Sequence, residues 1–269
     1  MAKYKKKRAR ELQQDKFRDT TMSFFDRLGD ALEGKGRTIL YGIGGVLLAI
    51  IVVVGFIKWR HKKNDEAQLA LGRAITITKA PVMAAPVPGN TDLTFPSDVE
   101  RAQKAIAEFE KVAAKYGDPY RTESRYFIAS NRLVLDRPKG LSELTELSNS
   151  NIAEVATLSK FALAQAKESD GQLDDAAKLY SDIAKQNSTA VSPETANLGL
   201  AKVYEKQGKK KEAADLLFNI VDASRKAKDK DNQPVPTSAA AREAADELKK
   251  LDPDRYTQLP PEAPPLLAG

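Results

Sequence analysis

The sequence predicts an all-α chain: an N-terminal arm, a single transmembrane helix, and a C-terminal α-solenoid built from helical repeats. Three observations carry this. Residues 38–57, TILYGIGGVLLAIIVVVGFI, hold no charge over twenty positions and sit between two basic clusters. Residues 98–251 follow helical periodicity with almost no β-branched alternation. Within that stretch, 161–184 and 198–221 repeat one pattern at an offset of 37.

The arm, 1–37, carries 11 Lys/Arg against 6 Asp/Glu. Its opening run, KYKKKRAR, stands beside a membrane span, where anionic lipid headgroups or plain solvation suit it better than nucleic acid. Residues 15–33 place Phe17, Phe24, Phe25 and Leu28 on one side of a helix, with Ala31 and Leu32. That pattern fits a helix lying in the headgroup layer, or one packed on another protein. Gly34 and Gly36 then interrupt it.

At about 1.5 Å per helical residue, 38–57 spans roughly 30 Å, the hydrocarbon thickness of a bilayer. It has no polar stripe for water. It is too long for the apolar core of a cleaved signal, and KWRHKK follows where small residues would mark cleavage. Gly42, Gly45 and Ala49 are spaced three and four apart, giving a flat face for a second membrane helix; glycine is also simply common in such helices. Trp59 and Arg60 fall at the membrane interface. Charge leaves the orientation open. Near the span the count is four basic residues before against five after, whereas the whole arm reverses that balance.

Residues 58–97 form a juxtamembrane helix followed by a loop. The segment 64–79 can continue as helix, and 80–97 holds four prolines and a Gly-Asn pair. The repeat domain is 98–252. Residues 105–119 read as a helix ending in proline and 120–138 as the next, with Asp136 and Pro138 where a turn glycine is expected. Residues 237–251 supply a last helix, N-capped by Thr237 or Ser238, which closes the end of the stack. The tail, 253–269, is Pro-rich.

At the offset of 37, Leu163/Leu200, Ala164/Ala201, Glu168/Glu205, Gly171/Gly208, Ala176/Ala213, Ala177/Ala214, Leu179/Leu216 and Ile183/Ile220 coincide. These residues resemble the tetratricopeptide repeat, a helix–turn–helix unit of about 34 residues. Small Ala164 and Ala201 allow close helix approach, and Gly171 and Gly208 take the turn in a left-handed conformation. The resemblance implies a tetratricopeptide-like α-solenoid whose first helices line a groove. By that analogy the inward residues are Tyr126, Phe161, Gln165, Glu168, Leu198, Lys202 and Glu205. They read equally as a partner-binding groove, as partly core, or as a face covered by the chain's own last helix.

The segments GFIKWRHKKNDEAQLALGRAI and AEFEKVAAKYGDP, with the repeats, resemble a wider family of bacterial single-span membrane proteins with a tetratricopeptide-like domain. Its best-described type is the YfgM-like ancillary subunit of the Sec translocon. Gly55, Trp59 and Arg60 stand where that family closes its span, and the likeness covers roughly residues 38–250. It implies an inner-membrane protein with a cytoplasmic N-terminus and a periplasmic domain. The basic arm and the Pro-rich tail depart from it.

Chemistry narrows the function further. No cysteine is present, so disulfides and thiolate sites are excluded, and the only histidine is His61 at the membrane edge. GIGG at 42–45 lies within the span, where it serves packing and not phosphate binding. Residues 80–269 balance 26 basic against 29 acidic residues, which argues against a nucleic-acid partner. No catalytic set and no cofactor or metal site is expected. The sequence therefore points to a non-enzymatic adaptor whose partners are membrane lipid, an integral membrane complex such as the translocon, and protein or peptide clients. A structural scaffold of a cell-division or cell-wall complex, or a cytoplasm-facing adaptor, are the alternatives.

Overall fold

Between Ile57 and Lys79 the sequence contains neither proline nor a helix-ending motif, and the chain does not stop its helix there. In the computed structural model, which describes residues 36–83, 93–186 and 188–262, helix α1 runs unbroken over Gly36–Lys79. Among the described residues it is the one helix long and apolar enough to cross a membrane. The contacts divide the chain into 1–66 and 67–269, so α1 belongs to both units.

In the first unit, residues 44–66 are exposed on every side. The Phe56 and Trp59 rings meet at 5.9 Å, and the Lys63 ammonium stands 4.4 Å from the centre of the Trp59 ring. Phe17, Phe24, Phe25 and Leu28 lie outside the described residues.

The second unit is mostly helical. Among its described residues there are no strands, only two isolated bridges. It begins with the last turns of α1. Ala67, Leu71 and Ala74 repeat at helical spacing and are buried against Ile106, Phe109 and Val112 of α2 (Asp98–Lys115) and Ile128 of α3 (Tyr120–Leu135). The juxtamembrane helix of the sequence reading is thus, from Ala67 onward, part of the helical domain. The ends of the loop that follows are tied: the Met83 amide donates to the Phe95 carbonyl at 2.8 Å, and the Phe95 amide to that of Pro81 at 3.0 Å.

The turn after α3 shows why no glycine is needed there. Asp136 ends α3 and its carboxylate accepts from the Lys139 amide at 3.2 Å, capping α4 (Arg137–Leu147), which has proline in its first turn. Fixed proline geometry and a side-chain cap replace a left-handed residue. The next pair is α5 (Ala153–Ser169) with α6 (Leu173–Ala184), and then α7 (Pro193–Lys206) with α8 (Lys210–Lys226). Gly171 and Gly208 join them with φ of +74° and +76°. In each, the amide after the glycine returns five residues to a carbonyl of the preceding helix, Gln172 to Lys167 and Lys209 to Tyr204, both at 2.9 Å. This is the Schellman termination, whose left-handed residue is cheap only without a Cβ.

Each helix packs on its successor from α2 to α10, and α3, α5, α7 and α9 also touch in turn. Helix α9 (Ala239–Leu251) is capped by Ser238, which accepts from the Ala241 amide at 3.1 Å. Its Ala241, Ala244 and Leu248 close a core with Leu217, Ile220 and Val221 of α8. The short α10 (Pro253–Tyr256) and buried Leu259 cover that core, and the Arg225 guanidinium bonds the Pro260 carbonyl at 2.5 Å. The described part of the tail is therefore packed onto the domain.

Candidate functional site

Large and small side chains alternate at the α6–α7 contact, and a hollow opens beside them. Tyr180 of α6 is buried, and its ring lies against Gly199 of α7. A Cβ at position 199 would come within 2.6 Å of that ring. Glycine therefore makes room for an aromatic side chain within a helix. The ring in turn meets Phe161 of α5 edge-on, with centroids 5.7 Å apart.

Beside these rings opens a groove of about 450 Å³, lined from α5, α6, α7 and α9. Phe161 and Leu198 give it an apolar surface, Gln165 and Thr195 offer polar contacts, and two ion pairs bracket it. In the first, Glu168 receives the Tyr180 hydroxyl at 3.0 Å and the Lys206 ammonium at 2.7 Å. In the second, Lys202 reaches Glu243 of α9 at 2.5 Å. Burial, reinforced by the Glu168 carboxylate, pushes the Tyr180 phenol above its ordinary range. The hydroxyl therefore stays a donor, and Glu168, only 14% exposed, stays fixed. The Lys202–Glu243 pair is more exposed, and surface pairs of that kind contribute only about 0–1 kcal/mol, so an incoming ligand can displace it at little cost.

Of the predicted groove residues, the structure brings together Phe161, Gln165, Glu168, Leu198 and Lys202. Tyr126 does not line this groove. It packs with the Ala129, Leu144 and Leu147 cluster, where burial raises its phenol pKa. Glu205 is also absent from the lining and stands exposed. Sequence reasoning missed Ser169, Tyr180, Thr195, Gly199, Lys206 and Glu243. Lys206 was within reach, since it lies one helical turn beyond Lys202. Tyr180 was hidden because its counterpart at the offset of 37 is Leu217, an ordinary core residue. The last helix contributes one wall and leaves the groove open.

Two other predicted sets fall in the first unit. Gly42, Gly45 and Ala49 lie in α1, and an added Cβ at Gly45 meets nothing within 4 Å. Trp59 and Arg60 are exposed on the same helix. Among the described residues no group of His, Asp and Glu is arranged to hold a metal ion. Comparisons with protein families, curated proteins and solved structures found no match.

Proposed function

We propose that this chain is a membrane-anchored, non-enzymatic adaptor whose second unit is a tetratricopeptide-like solenoid that holds an extended segment of a partner protein. The groove is the observation that carries the reading. Five residues chosen from the repeat pattern line it together, on successive first helices of the pairs. The left-handed glycine turns and the contact of α3, α5, α7 and α9 in sequence support the solenoid. An apolar surface with exchangeable ion pairs at its edges suits a peptide carrying an apolar anchor residue between charged neighbours.

In the fuller form of the proposal the protein sits in a bacterial inner membrane with its N-terminus cytoplasmic and its domain periplasmic. There it serves the Sec translocon by tethering chaperones or emerging chains. A weak binder anchored near its target gains effective concentration without new contacts. A photo-crosslinking residue at exposed Gln165, in full-length protein in native membranes, tests both parts. Adducts with translocon subunits or envelope chaperones support the proposal. Adducts with cell-wall synthases point to the scaffold reading instead, and a groove that captures nothing while a control position on α8 does would discard it. Reporter fusions after Gly269 test the sidedness, and an active cytoplasmic reporter would reverse it.

The span offers a separate test. At Gly45 an added Cβ meets no described residue within 4 Å, so loosening of a membrane complex by Gly45→Leu on native gels supports a partner helix at that face. Co-migration equal to wild type would mean that Gly42, Gly45 and Ala49 face lipid only.

A further inference from the structure

Residues 58–63, KWRHKK, make a surface that the groove leaves unused. They extend α1 directly from the apolar residues 44–57, and all six are exposed. Lys58, Arg60 and Lys62 form no ion pair among the described residues. Lys63 is drawn over the Trp59 ring at 4.4 Å, and that ring leans on Phe56. Successive helical residues turn by about 100°, so positions 58, 60, 62 and 63 spread over an arc of roughly 200°, a partial collar instead of one narrow stripe.

The collar has sharp limits. Apolar side chains bound it on one side, and Asp65 and Glu66 follow on the other. Its six residues cover about 9 Å of helix, close to the roughly 5–8 Å depth of one headgroup layer. A nucleic-acid site would need the positive charge to continue, and here its sign changes within one turn. The aromatic pair places the band where an amphipathic ring prefers to lie, between hydrocarbon and water.

We infer that residues 58–63 form an anionic-phospholipid collar, which gathers lipids of net negative headgroup, such as phosphatidylglycerol, around one end of the span. The inference rests on reading 38–57 as membrane-spanning. Lys58, Arg60 and Lys62, which form no ion pair among the described residues, supply charge for the phosphates, and the Lys63–Trp59 contact holds a fourth cation at the same depth.

Trp59 is the only tryptophan of the chain and reports on the collar directly. Full-length protein is reconstituted in vesicles of mixed phosphatidylcholine and phosphatidylglycerol, with one or the other lipid brominated near the carbonyl end of its chains. At equal mole fraction, brominated phosphatidylglycerol should quench Trp59 more strongly, corresponding to about five-fold local enrichment. The excess should shrink at high salt. It should fall to parity in the variant carrying Lys58→Gln, Arg60→Gln, Lys62→Gln and Lys63→Gln, which keeps the reporter. Quenching of that variant by brominated phosphatidylcholine shows that it still inserts. Equal quenching of wild type by the two lipids overturns the collar and leaves the span intact. Enrichment that survives in the variant places the selectivity elsewhere and also overturns it. No quenching by either lipid removes the span reading, and the inference with it.

Discussion

Tyr180 and Leu217 occupy the same place in two repeats, 37 residues apart, and each is only 2% exposed, yet the two repeats fill that place differently. In 153–184 a large ring is matched by the missing side chain of Gly199 on the next helix. In 193–226 a mid-sized leucine shares a core with Ala241 and Ala244 of α9. Only the first puts a hydroxyl at the groove, where it donates to Glu168. The stack therefore keeps one backbone pattern while one of its joints carries a hydroxyl at the groove.

Emptying each joint should have the largest effect. Tyr180→Ala should cost about 3–5 kcal/mol and Leu217→Ala about 2–4 kcal/mol, measured by urea unfolding of residues 64–262. The fragment should be soluble and mostly helical by circular dichroism. A loss under about 1 kcal/mol at Tyr180 would mean that its ring is not packed against Gly199, and the comparison would collapse.

Filling the glycine comes next. Gly199→Val should destabilise by about 1–3 kcal/mol through overpacking. Combined with Tyr180→Leu, which makes the first joint resemble the second, most of that loss should disappear. A double-mutant cycle reads this as a coupling of about 1 kcal/mol or more, and strict additivity would show that residues 180 and 199 do not share the space.

How far the joints were legible follows from the same residues. Gly171 and Gly208 could be read directly, because a left-handed turn between two periodic segments leaves few choices. Ala164, Ala201, Ala176 and Ala213 were equally readable, and all four are buried. Local chemistry narrowed the last helix's cap to Thr237 or Ser238, and Ser238 fills it. Gly199 was not readable, because a glycine within a helix pattern looks like a defect until its partner nineteen positions earlier is known. The same applies to Ala67, Leu71 and Ala74. They sit on the same helix as the apolar run 44–57, and only the packing of α2 shows that they belong to the domain. Five of the seven predicted groove positions line one hollow because period and offset fix which face a residue shares; Tyr126 and Glu205 lie outside it because a shared face does not imply a shared cavity.

A third expectation concerns what the two repeats have in common. Gly171→Val and Gly208→Val should each cost about 1–2 kcal/mol, and nearly equally, since both glycines have the same φ and open space around them. Strain, not collision, is the cause. Unequal losses would show that one turn relaxes out of the left-handed region, and the shared backbone pattern would then hold for one repeat only.

The smallest effect separates the repeats by titration. Burial first, and Glu168 second, raise the Tyr180 pKa in the fold above its unfolded value of about 10. The folded chain then keeps a proton that the unfolded chain releases. Stability from this group is fully present below about pH 10 and is lost as pH rises from there through the folded pKa. Lysines titrate in the same range, so the readout is a difference: the wild-type fragment against Tyr180→Phe, unfolded in urea between about pH 8 and 11. Wild type should lose stability more steeply on the alkaline side. Leu217 has no proton to lose, so Leu217→Met should leave the alkaline slope at its wild-type value. A Tyr180→Phe variant whose slope also matches wild type would mean that the phenol ionises with equal ease in both states. The hydroxyl would then not be held on Glu168, and the first joint would differ from the second in shape alone.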